Sequence, residues 1–411
     1  MEKILVISTY PPKGSLYGNK FSAVASYTKN TLTHMSRSVY FTVLADKLDS
    51  SENYTEQNAQ VIRCWKRNSI KSFFALLKNV AKRKEAKKVL FAFEFGMFGA
   101  SKVLLGFIPV LFFFIKLLGK KIYLVSHGVI LNFSDISEQM GVFERGVLSK
   151  SMGVLLKIYY FILGRMSTKI IVFEEHLRKS LIGIGIGENK IYTIPHGVHE
   201  EGEIPSKTES RKRLGIDKND FMVLCFGFLI WYKGSDFIVN AFRDKFKEEG
   251  ITLIMAGGES NVHKNDPVYA RYISNLYKNV EGHSNIVLTG FLKEEDIKYY
   301  FSACDLVVLP YRAFISASGP LSFALTYKKP FVISRNLKEY AKTADFKKSL
   351  SAVDMSVEDI VFNMDEDDFH KKIMEFTKDR NKRVSLENLS KELFKNRKWS
   401  KVGEMYNKVI L

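Results

Sequence analysis

Short runs of β-branched and other apolar residues alternate along the chain with longer segments whose apolar residues recur every three to four positions. The first pattern predicts buried strands and the second predicts helices. Regular alternation of the two is typical of a parallel sheet covered by helices. In the first half we predict strands at 4–9, 39–44, 61–65, 89–95, 122–126, 170–174 and 191–194, with helices at 22–35, 71–88 and 152–164.

A polar segment at 199–213, which contains Pro205 and few apolar residues, interrupts this alternation and marks a domain boundary. A second alternating series follows, and the chain closes with an amphipathic helical stretch at 385–411. The pattern predicts an α/β fold with two Rossmann-like domains, residues 1–198 and 199–390, and a C-terminal helical segment at 391–411. The strands predicted for the second series are 221–228, 251–255, 285–289, 306–310 and 330–334.

The segment 103–115 is the longest apolar stretch, and it contains Gly106 and Pro109. It is shorter than the roughly 20 residues that a membrane-spanning helix needs. Two interpretations stay open for it, a core helix and a helix lying in a membrane interface. Basic residues nearby, the run 82–88 and the stripe of Lys150, Lys157 and Arg165, fit an anionic membrane surface or an ordinary solvated helix face.

The composition describes an ordinary globular protein of 411 residues, with 46% hydrophobic and 26% charged residues. This excludes disordered, collagenous and multi-span membrane classes. The three cysteines show no metal-ligand spacing, and the N-terminus runs directly into a strand, so we expect a cytoplasmic protein. The net charge of +18 is concentrated in residues 1–200, which carry 28 Lys/Arg against 14 Asp/Glu; this predicts an anionic partner.

Two nucleotide motifs do not fit the sequence. In the glycine-rich run 183–187, Glu188 stands where a dinucleotide fingerprint needs its third glycine, and the run follows a predicted helix instead of a strand. A phosphate-binding loop of the G-x-x-x-x-G-K-[ST] type does not occur in the sequence. Hydride transfer and P-loop phosphoryl transfer therefore lose their main support.

Three other turns follow predicted strands, where ligands bind in parallel sheets. Gly14 lies in the turn after the first strand, which extends to Tyr17-Gly18. Gly227 permits a close backbone approach after the strand at 221–228, and Lys233 places a cation beside the next helix start, which suits a diphosphate. Each feature also has a purely structural interpretation, a tight turn for Gly14 and a solvated surface lysine for Lys233.

The third turn, residues 313–321, follows the strand at 306–310. Ser318 is suited to an N-cap and Pro320 to the first helical turn. The N–H groups of Ser318 and Gly319 and the hydroxyls of Ser316 and Ser318 predict a second phosphate cradle, although a capped helix without a ligand explains the same pattern. Both cradles fall in the second domain, which favours an anion site there.

In order and spacing, these segments resemble glycosyltransferases of the GT-B fold, family 4, also known as glycosyl transferases group 1. The resemblance covers nearly the whole chain and implies two domains facing a central cleft, with the Trp399-Ser400 segment crossing back to the first domain. The matching segments are Tyr10-Pro11-Pro12, Val125-Ser126-His127-Gly128, 192–198, Phe226-Gly227 to Lys233-Gly234, Ala256-Gly257-Gly258, Val287-Leu288-Thr289-Gly290, 302–311 and 329–334.

The resemblance implies roles for single residues. His127 and Lys233 match catalytic positions, and His127 would orient the acceptor or the transferring sugar. Two family features are absent: the usual Glu-x7-Glu would fall on Ile315 and Phe323, and the arginine that often follows the first glycine is Phe228. Arg312 is placed to supply the missing cation. The implied donor-binding residues are Gly14, Gly227, Lys233, Gly290, Phe291, Arg312, Ser316, Ser318, Gly319, Pro320 and Leu321.

We therefore predict a retaining glycosyltransferase that moves a sugar from a nucleotide-sugar to a lipid-linked or cell-surface glycan precursor. The resemblance implies no cofactor and no metal, because the nucleotide-sugar is itself a substrate. The basic first domain suggests a peripheral location on the inner membrane face. Alternatives are an inactive binding or regulatory relative, a nucleotide-sugar epimerase on the same fold and, more distantly, a nucleic-acid-binding protein, for which the sequence has no known module.

Overall fold

The computed structural model describes residues 1–16, 22–48, 52–99, 102–131, 147–200, 203–247, 250–260, 263, 265–316 and 318–411. Tyr17-Gly18 of the first predicted turn and Ala317 of the third lie outside these residues, as does the side chain of Lys150. The described chain divides into two compact units. The first contains residues 1–131, 147–197 and 399–411, and the second contains residues 198–398.

The first unit is built on a sheet ordered β3-β4-β2-β1-β5-β6-β7-β8, in which only β3 runs antiparallel to its neighbour. Helices bury both faces of the parallel strands, which explains why these strands read as nearly continuous apolar runs. The strands are β1 (Glu2–Ile7), β2 (Val39–Asp46), β3 (Tyr54–Glu56), β4 (Ala59–Trp65), β5 (Lys88–Phe93), β6 (Lys121–Ser126), β7 (Lys169–Val172) and β8 (Ile191–Thr193).

The second unit is built on a parallel sheet ordered β11-β10-β9-β12-β13-β14. From β9 the chain continues to β10 on one side, and from β12 it continues to β13 on the other, so the strand order reverses between the neighbours β9 and β12. The strands are β9 (Phe221–Phe226), β10 (Ile251–Ala256), β11 (Ile286–Leu288), β12 (Leu306–Leu309), β13 (Phe331–Ser334) and β14 (Val361–Phe362).

The helices cover both sheets. In the first unit they are α1 (Ala23–His34), α2 (Lys71–Lys82), α3 (Lys102–Leu117), α4 (Val147–Met166), α5 (Glu175–Gly183) and α15 (Trp399–Ile410). In the second unit they are α6 (Lys207–Leu214), α7 (Ser235–Lys245), α8 (Pro267–Val280), α9 (Glu294–Ala303), α10 (Gly319–Thr326), α11 (Ala344–Ala352), α12 (Val357–Ile360), α13 (Glu366–Lys378) and α14 (Arg380–Arg397), with 3-10 turns at Trp231–Lys233 and Arg335–Lys342.

Every strand predicted from the sequence is present, and the α/β class with two parallel-sheet domains is confirmed. The sequence missed β3, a three-residue edge strand that includes Thr55 and Glu56, and β14, which has only two residues. Neither is long enough to produce a periodic apolar pattern. The polar segment 199–213 was predicted as a boundary, but its second half begins α6, which is capped by the Ser206 hydroxyl.

The C-terminal segment differs from its predicted bounds. It forms two helices that meet at Lys398, where ψ is 140°, and residues 391–398 belong to the second unit, so the C-terminal segment of the first unit begins at Trp399 and not at 391. Within the first unit α15 lies against α1. A Cβ on Gly403 would overlap the His34 carbonyl oxygen, so only glycine permits this close approach, and the hydroxyls of Tyr27 and Tyr406 hydrogen-bond at 2.9 Å.

Candidate functional site

The candidate site lies in the second unit, where the strand order of the sheet reverses. In open parallel sheets, ligands bind in the crevice at the carboxyl ends of the two strands that flank such a reversal. Here those strands are β9 and β12, paired through Val223 with Leu306. The loops that follow them are the two turns for which the sequence predicts phosphate cradles, one from Gly227 to Gly234 and the other from Pro310 to Ser318.

The loop after β9 is folded tightly around Gly227. This residue has φ of +122°, a conformation that L side chains rarely adopt, and a Cβ there would lie only 2.5 Å from Lys233 Nζ. The 3-10 turn Trp231–Lys233 follows, and Gly234, with φ of +71°, begins α7. The lysine side chain therefore folds back over its own loop, and its ammonium group lies beside the Gly227 backbone.

Lys233 is a partly buried cation in a mostly neutral setting. Burial lowers the pKa of its ammonium group to about 8, and the Cys225 thiol nearby opposes this shift. The nitrogen lies 6.0 Å from the ring centroid of Phe228 and 5.9 Å from that of Tyr311, close enough for cation-π contact. In the described part of the chain, no ion pair involves Lys233. An anion that binds here would be attracted more strongly than at an exposed lysine, because little water screens the two charges.

The loop after β12 leads into α10, whose start matches the sequence prediction. Ser318 is the N-cap, and its hydroxyl accepts a hydrogen bond from the Leu321 N–H at 3.3 Å. Pro320 lies in the first turn and has no N–H of its own. The exposed Gly319 is the first helical residue, whose N–H has no acceptor within a helix. The start of α10 therefore carries a partial positive charge, and the Gly319 N–H can donate a hydrogen bond to an anion.

The structure brings these two loops together. A Cβ on Gly227 would lie 3.6 Å from Cγ of Pro320, so the first turn of α10 lies beside the Lys233 loop. Tyr311 connects them further, because its ring faces Lys233 while its hydroxyl hydrogen-bonds the Ser318 hydroxyl at 3.2 Å. Sequence reasoning did not single out Tyr311, although its place directly after the strand-ending Pro310 was a signal.

A second part of the site surrounds the ends of β10 and β11. Gly257 forms an isolated bridge with Gly290, and a Cβ on Gly258 would lie 2.9 Å from the Phe291 nitrogen, so backbones pack closely here. The Phe228 and Phe291 rings lie 6.4 Å apart, and the two side chains are 43% and 65% exposed. These two rings form an open aromatic surface next to Lys233. The sequence had indicated Phe291 alone and had treated Phe228 only as a missing arginine.

Arg312, for which the sequence predicts the role of the missing cation, has a carboxylate partner in this structure. Its guanidinium makes a two-pronged ion pair with Asp236, at 2.6 and 2.8 Å, and also donates to the Trp231 carbonyl. The Asp236 carboxylate neutralises the positive charge of Arg312. Arg312 therefore ties the β12 loop to α7 and supports the site without providing a free cation.

Other predicted residues around this turn have structural surroundings. Leu321 is buried in the core of the second unit, and Ser316 is half-buried at the turn. Ile315 and Phe323, at the two positions where the family usually has glutamates, pack against the same core. The apolar side chains at these positions are thus explained by packing, and carboxylate chemistry is absent from both.

The two predicted site residues of the first unit have different settings. Gly14 has φ of +74° in a turn closed by the Ser15 N–H to the Pro12 carbonyl at 3.1 Å, so the turn alone accounts for the glycine. The His127 ring packs against the rings of Tyr27 and Phe173, with both centroids at 4.9 Å. Burial, assisted by the nearby His196, lowers the pKa of His127 to about 3, so the imidazole is neutral at physiological pH.

Two features are absent from the described residues. No group of three or more His, Cys, Asp and Glu side chains there is arranged to hold a metal ion. Among the same residues no helix has both the length and the apolar character needed to cross a membrane.

The fold is shared with solved glycosyltransferases of the GT-B type. The chain superposes on sucrose-phosphate synthase from Thermosynechococcus elongatus with a TM-score of 0.69 at 12% identity, covering 100% of this chain and 98% of that one. It superposes on Anabaena Alr3699/HepE, solved in complex with UDP-glucose, with a TM-score of 0.66 at 14% identity and 99% of each chain covered. WaaG, a glycosyltransferase involved in lipopolysaccharide biosynthesis, gives 0.65 at 14% identity, with 99% of each chain covered.

Sequence comparison also finds similarity to glycosyltransferases. An uncharacterized glycosyltransferase of Methanocaldococcus jannaschii, MJ1607, is 22% identical over 150 residues, which span 35% of this chain and only 36% of that relative. Residues 206–393 match the family Glycosyl transferases group 1. That stretch contains Gly227, Lys233, Ser318 and Gly319, and it lies wholly within residues 198–398. Most of the second unit therefore matches the glycosyl transferases group 1 family, and the chain has the fold of the GT-B glycosyltransferases.

Proposed function

We propose that the protein is a glycosyltransferase whose nucleotide-sugar donor binds at the carboxyl ends of β9 and β12. The observation that carries this proposal is the meeting of Lys233 with the start of α10 beside Gly227, where the sheet order reverses. A diphosphate is the ligand that matches a cation and a helix N-terminus at this spacing. Anabaena Alr3699/HepE, which shares the fold, was solved with UDP-glucose.

In the reaction we propose, the bond between the sugar and the diphosphate breaks and negative charge gathers on the departing diphosphate. Lys233 and the Gly319 N–H would stabilise that charge, because they are already oriented and need no rearrangement. We propose that these groups do so without a metal ion and that the configuration of the sugar is retained. The retaining outcome is tested by NMR of the anomeric proton in the product, and activity in the presence of EDTA tests the metal.

We propose that the exposed rings of Phe228 and Phe291 contact a flat part of the donor, the nucleobase or the face of the sugar. Stacking of a base on an aromatic ring contributes about 1–3 kcal/mol. Phe228→Ala is therefore expected to weaken donor binding about tenfold, measured by titration calorimetry with the nucleoside diphosphate. Phe74→Ala, which removes an even more exposed ring in the first unit, is the control and should bind normally. Equal affinities of Phe228→Ala and the unaltered protein would remove this ring from the site.

The low pKa of Lys233 predicts a pH dependence of donor binding. Below about pH 8 Lys233 is protonated, and its contribution to the affinity stays constant. Above about pH 8 Lys233 of the unliganded protein loses its proton. The dissociation constant for a nucleoside diphosphate is then expected to rise by up to about tenfold per pH unit. Lys233→Arg keeps its charge at high pH and should show a flat profile. A flat profile for the unaltered protein would contradict the role of Lys233.

We propose that the acceptor binds the first unit and carries phosphate or a lipid, since residues 1–200 hold most of the net positive charge. The neutral imidazole of His127 would hydrogen-bond the acceptor or the transferring sugar as donor or acceptor, but it would not act as a cation. A cytoplasmic protein that meets its acceptor at the inner membrane face is the location that we propose. The basic charge of this unit is what supports that location.

One observation favours a second candidate, a binding protein that has lost catalysis. Ile315 and Phe323 pack into the core at the positions where the resemblance implies glutamates, and Arg312 is paired with Asp236. A donor would then bind through Lys233 without being turned over. The two candidates differ in one measurable quantity, the release of nucleoside diphosphate.

The test is a panel of UDP-, GDP- and ADP-sugars, with and without a lipid extract from cells, scored for thermal shift and nucleoside diphosphate release. Release with one donor that increases with lipid supports the transferase. A thermal shift without release in any acceptor mixture favours the binding protein. A folded protein that shows neither response would contradict a donor site at Lys233.

A further inference from the structure

The helix α3 has an unusual distribution of apolar residues. Its inward side is buried, as expected, through Ile108, Leu111, Phe112 and Ile115. Its outward side is apolar too, whereas a surface helix normally presents polar residues to water. The outward residues recur at helical spacing over about 15 Å and, with Leu118 directly after the helix, are 37–66% exposed: Phe107, Val110, Phe113, Phe114, Leu117 and Leu118.

The neighbouring helices extend this surface on both sides. On α2, Phe74 is exposed, and it connects to α3 through the buried Phe73, whose ring centroid lies 5.2 Å from that of Phe74 and 5.6 Å from that of Phe107. On α4, which packs against α3, an exposed apolar stripe is formed by Val154, Leu155, Ile158 and Phe161. We call the exposed apolar residues of α2, α3 and α4 the apolar face. Exposed apolar side chains on three helices that pack side by side mark an interaction surface.

The charged residues of the three helices that carry the apolar face have a single sign. The sequences of α2, α3 and α4 contain three, two and three Lys/Arg residues and no Asp or Glu. At the far ends of α3 and α4, Lys116 and Arg165 lie near Lys190. The Lys190 ammonium group donates to the Arg165 carbonyl at 3.4 Å, and burial together with the charges of Arg165 and Lys116 lowers the pKa of Lys190. Within the described residues, no ion pair neutralises Lys116, Lys157 or Arg165.

From this combination we propose that the apolar face is a docking surface for a membrane leaflet that contains anionic lipids. The exposed rings and leucines would enter the boundary between headgroups and acyl chains, and Lys116, Lys157 and Arg165 would contact lipid phosphates. This docking surface rests on the proposed function, because it is where the first unit would reach a lipid-linked acceptor. It does not depend on which nucleotide-sugar is the donor.

The same charges argue against self-association through this face. A symmetric dimer places the same patch of both copies against itself. The cations of one copy would then oppose those of the other, with no Asp or Glu on these helices to separate them. An anionic leaflet would bury the apolar residues among its acyl chains and pair the cations with its lipid phosphates. The short length of α3, 16 residues, fits a helix lying in the interface.

The test is co-sedimentation of the full chain with vesicles of phosphatidylcholine mixed with phosphatidylglycerol, compared with pure phosphatidylcholine, at low and high salt. We expect binding to the mixed vesicles that weakens with salt and is much lower on the neutral ones. Phe113→Glu with Leu117→Glu should reduce binding at least about tenfold. Lys116→Gln with Lys157→Gln should reduce binding to the mixed vesicles by a similar factor and remove most of its dependence on salt.

A matched pair, Val268→Glu with Val384→Glu, places the same charges on exposed apolar positions of the second unit and should bind vesicles like the unaltered protein. Unaltered binding by the Phe113/Leu117 variant would overturn the proposal. So would a dimer in sedimentation velocity that this variant converts to a monomer. Donor binding and nucleoside diphosphate release without vesicles should be the same in the unaltered protein and the Phe113/Leu117 variant. Failure of the donor site is thereby distinguished from failure of the docking surface.

Discussion

Replacing Lys233 with alanine is expected to reduce nucleoside diphosphate release by about 10²–10³-fold, the usual effect of removing one preorganised group that stabilises developing charge. The reason is electrostatic. Lys233 is the partly buried cation beside Gly227, and no ion pair in the described residues neutralises it. The measurement is initial-rate release of nucleoside diphosphate with the donor identified by the panel, together with the dissociation constant of the product.

The control for this loss is Lys278→Ala, which removes an exposed lysine from α8 of the same unit. It should retain full release. The thermal unfolding midpoint of Lys233→Ala without ligand should not fall, because the substitution removes a cation whose burial is unfavourable. If Lys233→Ala is folded and releases the product at the normal rate, the diphosphate binds elsewhere.

Replacing Gly234 with alanine is expected to destabilise the second unit by about 2–4 kcal/mol, since overpacking adds to the strain of a left-handed residue. Gly234 has φ of +71°, and an added Cβ would overlap the Pro310 carbonyl oxygen, which belongs to the backbone and cannot move aside as a side chain does. This contact joins the β9 and β12 loops. Scanning calorimetry should show a fall of about 5–10 °C in the unfolding midpoint of this unit, and donor affinity should fall as the loops separate.

Gly215→Ala separates the two causes of that loss. Gly215 ends α6 with φ of +67°, nearly the same conformation as Gly234, but a Cβ there has no heavy atom within 4 Å. The substitution should therefore show the conformational strain alone, about 1–2 kcal/mol, with donor binding unchanged. Equal destabilisation by the two substitutions would mean that the contact with Pro310 does not hold the loops together.

Together these predictions distinguish the residues of the second unit that would contact the ligand from those that hold the β9 and β12 loops in place. Lys233 would contact the ligand, so its replacement should leave the fold intact. Gly234 holds two loops together, so its replacement should lower both the stability of the unit and its affinity for the donor. Arg312 belongs with Gly234, because its pairing with Asp236 ties the β12 loop to α7. This grouping could not be made from the sequence, where Arg312 and Lys233 were both simply cations near strand ends.

The sequence by itself determined the parallel strands, the N-cap at Ser318 and the glycines at strand ends, because these follow from local propensity and from the period of apolar residues. It also indicated two phosphate cradles. The sequence did not predict edge strand β3, because this strand depends on pairing with β4. It also did not predict the division of the last helical stretch at Lys398, which depends on the contacts of α15 with α1.

Only the tertiary structure decided which of these features act together. Gly227 and Pro320 are 93 positions apart in sequence, and they become neighbours because β9 and β12 pair at the reversal of the sheet. The partner of Arg312 and the exposure of Phe228 likewise depend on side chains from distant segments. The same holds for the apolar face: the residues of α3 show a helix with two apolar sides, but only packing decides which side remains in water. Periodicity fixes local elements, whereas contacts between them are set by how the sheet is ordered.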